Sequence, residues 1–202
     1  MATAAPTASD KTYIRFYKPF GVLSQFTDES GRPTLADFGP FPSGVYPIGR
    51  LDAESEGLLI LSNDNQLKHR LLEPKFGHTR TYIVQVENIP NDESLRHLRS
   101  GVLIERKRTK EAHVRLLNQE PEVPPRPVPI RFRKHIPTAW LEIKLTEGRN
   151  RQVRKMTAAV GHPTLRLLRV GQGPISLTGL APGEHRKLSP QEVQLLRKSV
   201  GL

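Results

Sequence analysis

The chain has 202 residues, no cysteine, and 31 lysines and arginines against 20 aspartates and glutamates, so its formal net charge is +11. The absence of cysteine excludes disulfides and thiolate metal sites, and no stretch approaches the ~20 apolar residues of a membrane-spanning helix. Such a charge favours a polyanionic partner, nucleic acid first; a basic protein without such a partner is the alternative. Residues 1–10 lack the features of a secretory signal and predict a disordered leader, so we expect a cytoplasmic protein.

Apolar alternation, capping residues and turn residues predict the elements of the first half of the chain. The strands are short, and glycine and proline occupy the connections between them. Gly101 follows the second helix, as expected at a helix C-terminus. In chain order, the predicted elements are strands at 13–17, 22–24 and 58–61, a helix at 66–73, a strand at 79–86 and a helix at 91–100.

The second half is predicted in the same way, with one irregular segment. Residues 120–137 contain six prolines, which excludes a regular central strand and leaves either a mobile basic loop or an extended strap that follows phosphates. Asn150 is the expected cap of the next helix, and Ser189 to Glu192 form a capping box. The predicted elements are strands at 102–104, 112–117 and 140–146, a helix at 151–160, strands at 165–170 and 175–177, and a helix from residue 190.

A carboxylate stands where a turn meets a buried strand. Asp52 follows Arg50 in a turn that leads into the apolar run 58–61, and functional groups are commonly mounted on loops held by a rigid scaffold. A carboxylate beside a guanidinium stays ionised at neutral pH, as a nucleophile or a base requires. An exposed surface ion pair without a catalytic role is the alternative reading of this pair.

Cations converge at the start of the helix predicted for 151–160. Arg151, Arg154 and Lys155 lie one helical turn apart, on a face that adjoins the apolar one. Free N–H groups at a helix N-terminus already favour anions. No acidic residue lies between Arg149 and Gly161, so this helix predicts an anionic partner.

Further basic residues occupy the predicted hairpin tip between strands 102–104 and 112–117. Arg106, Lys107 and Arg108 either grip phosphates or remain solvated, and the sequence is compatible with both. Neither the histidines nor the carboxylates have the spacing of metal ligands, so no metal site is predicted. The glycines at 171–173 open no helix, and a dinucleotide fingerprint is therefore not indicated.

Three segments resemble, in order and in separation, the signature motifs of the RsuA-type family of ribosomal RNA pseudouridine synthases. The departures are small: Arg80 stands where lysine is usual, Ser55 where threonine is common and Asn65 where glycine is common. The resemblance runs from about residue 13 to residue 188. Its motifs are GRLDAESEGLLILSND at 49–64, RTYIVQV at 80–86 and EGRNRQVRKM at 147–156, preceded by KPFGVLSQ at 18–25.

This resemblance implies an α+β fold: a mixed, mostly antiparallel sheet with flanking helices and a central basic cleft. Residues 11–202 would form one catalytic domain of two subdomains, without the N-terminal S4 RNA-binding module of other members. The family breaks the C1′–N1 bond of a uridine, turns the uracil and rejoins it through C5, using no cofactor and no metal. The most similar branch acts on large-subunit rRNA, which implies a monomer acting on 23S rRNA; a small-subunit target is the alternative.

The resemblance also implies roles for individual residues. Asp52 matches the essential aspartate, which acts as a nucleophile or as a base at the ribose. Tyr82 matches the tyrosine that stacks on the flipped uracil, with movement of the C5 proton as a further role; an ordinary half-buried strand tyrosine is the alternative. Arg154 matches the basic residue that pairs with the aspartate. The residues expected to bind RNA are Arg50, Arg80, Arg149, Arg151, Lys155, Arg106, Lys107 and Arg108.

Two other function classes compete with this interpretation. A non-catalytic RNA-binding factor for ribosome assembly could keep the fold, but it would have no use for a carboxylate that faces phosphates. A glycoside or nucleoside hydrolase would need a pair of carboxylates, and no second acid is placed like Asp52.

Overall fold

The structure is a computed structural model that describes residues 11–130 and 136–202, apart from the side chain of Pro74. The leader predicted for residues 1–10 lies outside the described residues. The strands are β1 (Tyr13–Lys18), β2 (Tyr46–Pro47), β3 (Glu56–Ser62), β4 (Arg80–Glu87), β5 (Leu103–Ile104), β6 (Lys107–Arg108), β7 (His113–Leu116), β8 (Thr138–Leu145), β9 (Thr164–Gln172), β10 (Ile175–Ser176) and β11 (His185–Lys187). The α-helices are α1 (Asn65–Leu72), α2 (Asp92–Ser100), α3 (Gln152–Ala159) and α4 (Pro190–Ser199).

One mixed sheet carries the fold. Its strands follow the order β11-β1-β3-β9-β4-β8-β7, with β2 added to β3 and β10 added to β9, while β5 and β6 form a separate hairpin. Strands β3 and β9 pair in parallel, and the other neighbouring strands described in this sheet pair antiparallel. The predicted α+β class with a mostly antiparallel sheet is confirmed.

The apolar run in β3 is continuous because this central strand is covered on both faces. Leu58 and Ile60 belong to a core that includes residues of α1 and α4. Leu59 and Leu61 belong to a second core, built with β1 and the loop that follows it. Every residue of β3 is buried, which fixes the strand that leaves the Asp52 turn.

A third core lies on β4 and β8, whose alternation follows the prediction. Tyr82, Val84 and Val86 pack with inward residues of β8, and helices α2 and α3 cover them. The predicted capping box of α4 is also present, because Ser189 accepts from the backbone of Glu192 and the Glu192 carboxylate accepts from the backbone of Ser189.

The strand predicted for residues 22–24 is wrong. These residues form an irregular segment after the first turn. Val22 is buried in the core next to β1, and Ser24 bonds the backbone of Leu51 instead of a strand ladder. The apolar residues in this segment therefore indicate burial and not a strand.

The cap predicted for α3 is also wrong. Arg151, with a φ of 50°, is the residue at the helix N-cap position, and it makes no capping hydrogen bond through its side chain. The Asn150 side chain accepts instead from Lys155 Nζ, at 3.3 Å. The Gln152 side chain reaches back and accepts from the Arg149 backbone N–H, at 2.9 Å.

The described part of the proline-rich segment is anchored to the body of the protein. Arg166 donates to the Pro124 carbonyl at 2.8 Å, and the Arg126 guanidinium lies 4.2 Å from the centre of the Phe20 ring. The choice between the predicted loop and the predicted strap depends on residues 131–135, which lie outside the described residues.

Gly57 allows β3 and β9 to meet. Its φ is +107°, and a Cβ built there would lie 2.3 Å from the Arg169 carbonyl oxygen.

We predict that Gly57→Ala lowers the free energy of unfolding by at least about 3 kcal/mol, from backbone strain together with overpacking. Urea denaturation measures this. Gly31→Ala is the control, since Gly31 also has a positive φ but open space around it, and it should cost only about 1–2 kcal/mol. Equal losses in both variants would contradict the account.

Candidate active site

The backbone on both sides of Asp52 is fixed by residues of the first loop. Ser24 Oγ donates to the Leu51 carbonyl at 2.8 Å and accepts from the Leu51 N–H at 3.0 Å. On the other side, the Gly21 N–H donates to the Ala53 carbonyl at 2.8 Å. The Ser55 N–H donates to the carbonyl of Asp52 itself, at 3.0 Å. The turn therefore presents the Asp52 side chain in a defined place.

Lys18 also holds the Asp52 turn, from the interior of the protein. Its side chain is fully buried, and Nζ donates to the carbonyls of Pro19, Val22 and Ala53 at 2.8, 2.6 and 3.3 Å. These acceptors use all three protons of an ammonium group. Burial lowers the pKa of Lys18 to about 7, so the site holds the charged form below that pH.

A buried ion pair fixes the start of β3. Arg166 Nε and Nη2 donate to the two carboxylate oxygens of Glu56, both at 2.8 Å, and both residues are buried. The pair links β3 to β9. This ion pair was not predicted from the sequence. Its only indication there is that an acid and an arginine each occur in a strand of otherwise mostly apolar residues.

Asp52 lines a cavity of about 510 Å³ that borders the core on β4 and β8. Its side chain is 33% exposed, so the carboxylate is open to a ligand. The described lining of the cavity has an apolar part that a flat ring could contact, three cations, and one carboxylate besides Asp52, that of Glu147. The apolar and aromatic lining residues are Leu23, Leu51, Tyr82, Leu145, Val153 and Leu167, and the cations are Arg50, Arg149 and Arg151.

The cation beside Asp52 differs from those predicted. Arg151 Nη1 lies 3.6 Å from Asp52 Oδ2, and its Nη2 donates to Glu54 Oε2 at 3.0 Å, a bond that lowers the pKa of Glu54. Arg154 donates to the backbone carbonyls of Glu54 and Thr164 at 2.9 and 3.5 Å. Its expected pairing with Asp52 is therefore replaced by contacts that hold α3 against the turn.

Arg50 is likewise turned away from Asp52, although both line the cavity. Its Nη2 donates to Gln25 Oε1 at 3.2 Å. The buried Leu51 between them is held by Ser24, and adjacency in sequence does not bring the two charges together. The expected pair of Arg50 and Asp52 is thus corrected to Arg151 and Asp52.

The basic hairpin adjoins the rim of this cavity. Arg149 donates to the Ile104 and Lys107 carbonyls at 2.8 and 3.0 Å, and Lys155 pairs with Glu105 at 2.5 Å. The side chains of Arg106, Lys107 and Arg108 are exposed. Arg80 is absent from the residues that line the Asp52 cavity and lines a neighbouring one.

No group of three or more histidine, aspartate and glutamate side chains suited to a metal ion occurs in residues 11–130 and 136–202. Over the same ranges, no helix combines the length and the apolar character needed to cross a membrane.

The sequence matches the family described as RNA pseudouridylate synthase over residues 12–159. It is 55% identical over 167 residues to the ribosomal large subunit pseudouridine synthase E of Xanthomonas axonopodis pv. citri, covering 82% of this chain and 87% of that protein. The chain belongs to the RNA pseudouridylate synthase family. It is therefore a pseudouridine synthase, an enzyme class whose partner is RNA.

Two further relatives agree with this assignment. The chain is 38% identical over 189 residues to the ribosomal large subunit pseudouridine synthase B of Bacillus subtilis, covering 93% of this chain and 72% of that protein. A solved structure described as a pseudouridylate synthase superposes with a TM-score of 0.78 at 27% identity, covering 93% of this chain and 74% of the other. The family, the fold and the enzyme class expected from the motifs are confirmed.

The matched region brings the three expected catalytic residues close to one cavity. Asp52 and Tyr82 line one cavity, and Arg154 bonds the turn two residues after Asp52. Their roles in catalysis stay a prediction, as do the RNA contacts of the surrounding cations.

The buried Lys18 predicts a pH dependence of stability. An unfolded lysine has a pKa near 10.4, so between pH 7 and that value the unfolded chain binds more protons, and wild-type stability rises with pH. Lys18→Met removes this contribution. We predict that the wild type gains roughly 2–3 kcal/mol relative to Lys18→Met between pH 7 and pH 9.5. Urea denaturation of both proteins at each pH measures the difference, and a difference that does not change with pH would contradict the account.

Proposed function

We propose that this enzyme converts one or a few specific uridines of large-subunit ribosomal RNA to pseudouridine, acting as a monomer in the cytoplasm. The names of the relatives support the substrate, because the proteins 55% and 38% identical to this chain are both ribosomal large subunit pseudouridine synthases. The charge of +11 supports an RNA partner, since cations that neutralise phosphates supply affinity independent of sequence.

The observation that carries the proposal is the placement of Asp52. The carboxylate is presented by a rigid turn at the edge of a cavity whose wall is Tyr82, itself 9% exposed. A uridine must leave its stack to reach such a cavity, at a cost of a few kcal/mol that stacking on an aromatic ring offsets. Asp52 would attack the flipped nucleotide or act as a base at its ribose, and the uracil would rejoin the ribose through C5.

Arg151 and Arg154, at the start of α3 and within it, would have different roles. Arg151 is the charge beside Asp52 and would keep the carboxylate ionised while an RNA strand occupies the cavity. Arg154 is half-buried, and this burial lowers its pKa. Through the Glu54 and Thr164 carbonyls it would hold α3 and the Asp52 turn at a fixed separation.

The remaining cations would contact the RNA backbone around the flipped nucleotide. Arg50 and Arg149 line the cavity, and Lys155 lies on α3, paired with Glu105. Arg80 lines the neighbouring cavity. The residues predicted at a hairpin tip instead form the turn and second strand of the β5–β6 hairpin, and the exposed Arg106, Lys107 and Arg108 would reach phosphates further along the RNA.

The role of Asp52 is tested by Asp52→Asn. We predict that this variant forms no detectable pseudouridine and keeps its RNA affinity within a few-fold, because the amide has a similar shape but can neither attack nor accept a proton. Ribosomal RNA from cells that lack the chain is incubated with each protein, and pseudouridine is mapped by carbodiimide adducts and primer extension. Glu54→Gln is the matched control: it removes a carboxylate that also pairs with Arg151, and its activity should fall less than about tenfold. Retained turnover in Asp52→Asn would refute the assignment.

The hairpin is tested by Lys107→Gln with Arg108→Gln. If these residues bind phosphates, the slope of log affinity against log salt falls by about 1.5, at about 0.7–0.9 for each phosphate that is no longer neutralised. Filter binding of a 23S rRNA transcript at several salt concentrations gives the slope. Lys187→Gln with Lys198→Gln removes the same charge from β11 and α4, at the other edge of the sheet, and should leave it nearly unchanged. Identical slopes in the two double variants would argue against phosphate binding by the hairpin.

A further inference from the structure

A second cavity, of about 190 Å³, adjoins the first along Tyr82. Arg50, Tyr82, Gly148 and Arg149 line both cavities. The second one lies on the sheet between β4 and β9, and it is smaller than the roughly 300–1,000 Å³ of pockets that bind drug-sized ligands. Its size suits a small group next to the one held in the first cavity.

A β-bulge places two polar residues of β9 on the same face as Tyr82. Arg80 pairs with Gln172, and Tyr82 pairs with Arg169, with a register shift between these pairs. Val170 is the extra residue, so Arg169 and Gln172 face the same side although they are three positions apart. Bulges are common next to active sites, where they redirect side chains.

Both β9 residues are buried and incompletely bonded. Arg169 is 3% exposed; its Nε donates to the Leu58 carbonyl at 2.7 Å, while its Nη2 has no hydrogen-bond partner. Its side chain interacts with the Tyr82 hydroxyl, but no carboxylate within the described residues pairs with it. Gln172 is 1% exposed, and its Oε1 is also without a partner. A buried charge and a buried acceptor are costly when left unsatisfied.

The unsatisfied atoms indicate what is missing. Arg169 needs an anionic acceptor, and Gln172 Oε1 needs a hydroxyl or N–H donor. Arg50, Arg80 and Arg149 add positive charge, against the single carboxylate of Glu73 among the described lining residues. A phosphodiester supplies the anion but carries no proton, whereas the ribose 2′-hydroxyl supplies the donor.

We propose that this second cavity, defined by Arg80, Tyr82, Arg169 and Gln172, binds one ribose-phosphate unit of the RNA strand beside the flipped uridine. Arg169 and Arg80 hold the phosphate, and Gln172 Oε1 accepts from the 2′-hydroxyl. The inference rests on the proposed function for its RNA ligand. It adds that the enzyme distinguishes RNA from DNA at this position.

Interference mapping tests the proposal without requiring turnover. One pool of 23S rRNA transcripts is ethylated at random phosphates, and a second carries random 2′-deoxynucleotides at low frequency. Each pool is divided into bound and free fractions by the full chain. For the wild type we expect one phosphate and one 2′-hydroxyl whose loss prevents binding, both within about two nucleotides of the uridine that is modified.

The variants assign these signals to the cavity. Arg169→Met should remove the phosphate signal and Gln172→Met the 2′-hydroxyl signal, each leaving the other positions unchanged. Affinity should fall about tenfold or more in Arg169→Met, as expected for one hydrogen bond to a charged group. Arg115→Met, which removes an exposed arginine of β7, is the control and should keep the full pattern.

Each outcome decides the proposal. An unchanged pattern in Gln172→Met, or in a folded Arg169→Met, overturns it; if Arg169→Met does not fold, the 2′-hydroxyl signal of Gln172→Met decides. If the signals disappear as predicted but no pseudouridine forms nearby, the cavity proposal holds and the proposed function fails. If pseudouridine forms normally while the patterns are unchanged, only the cavity proposal falls. A wild type that shows no interference overturns it as well.

Discussion

Two buried side chains hold the backbone on either side of one aspartate, and the active site depends on this constraint. Ser24 bonds both backbone groups of Leu51, and Lys18 bonds the Ala53 carbonyl from a fully buried position. Burying an ammonium group is unfavourable unless its protons are used, so the loop must close around Lys18 for the chain to fold stably. The Asp52 carboxylate is thereby positioned by the folding of the first strand and its turn, before any RNA is present.

The charges around the two cavities are likewise determined by which side chains have partners within the protein. Cations supplied by distant segments converge on two adjoining cavities, and fewer acids accompany them. Glu54 and Glu105 pair with Arg151 and Lys155, while Glu147 lines the first cavity and Glu73 the second. Arg169 is left with a free donor. Such a surface is costly in the free protein, and an RNA backbone would satisfy it, which links the stability of the fold to its proposed ligand.

Local pattern predicted most of the fold but not the pairing within the site. The alternation of apolar and polar residues in β4 and β8 and the capping box of α4 depend on residues close in sequence, so both could be predicted from the sequence. The charge beside Asp52 was expected to come from Arg154, but Arg151 takes a left-handed backbone conformation before α3 and reaches the carboxylate instead. The pair of Glu56 and Arg166 joins residues 110 positions apart, and no spacing rule indicates it. The bulge in β9 could not be predicted from the sequence either, because it depends on the register of two paired strands.

The central claim is that the carboxylate presented by this turn converts uridine to pseudouridine in ribosomal RNA. Its most direct test compares pseudouridine maps of ribosomal RNA from cells that lack the chain and carry either the wild type or Asp52→Asn. The account predicts that one or a few large-subunit positions lose pseudouridine without the chain, and that only the wild type restores them. An unchanged map in its absence, or restoration by Asp52→Asn, would contradict it.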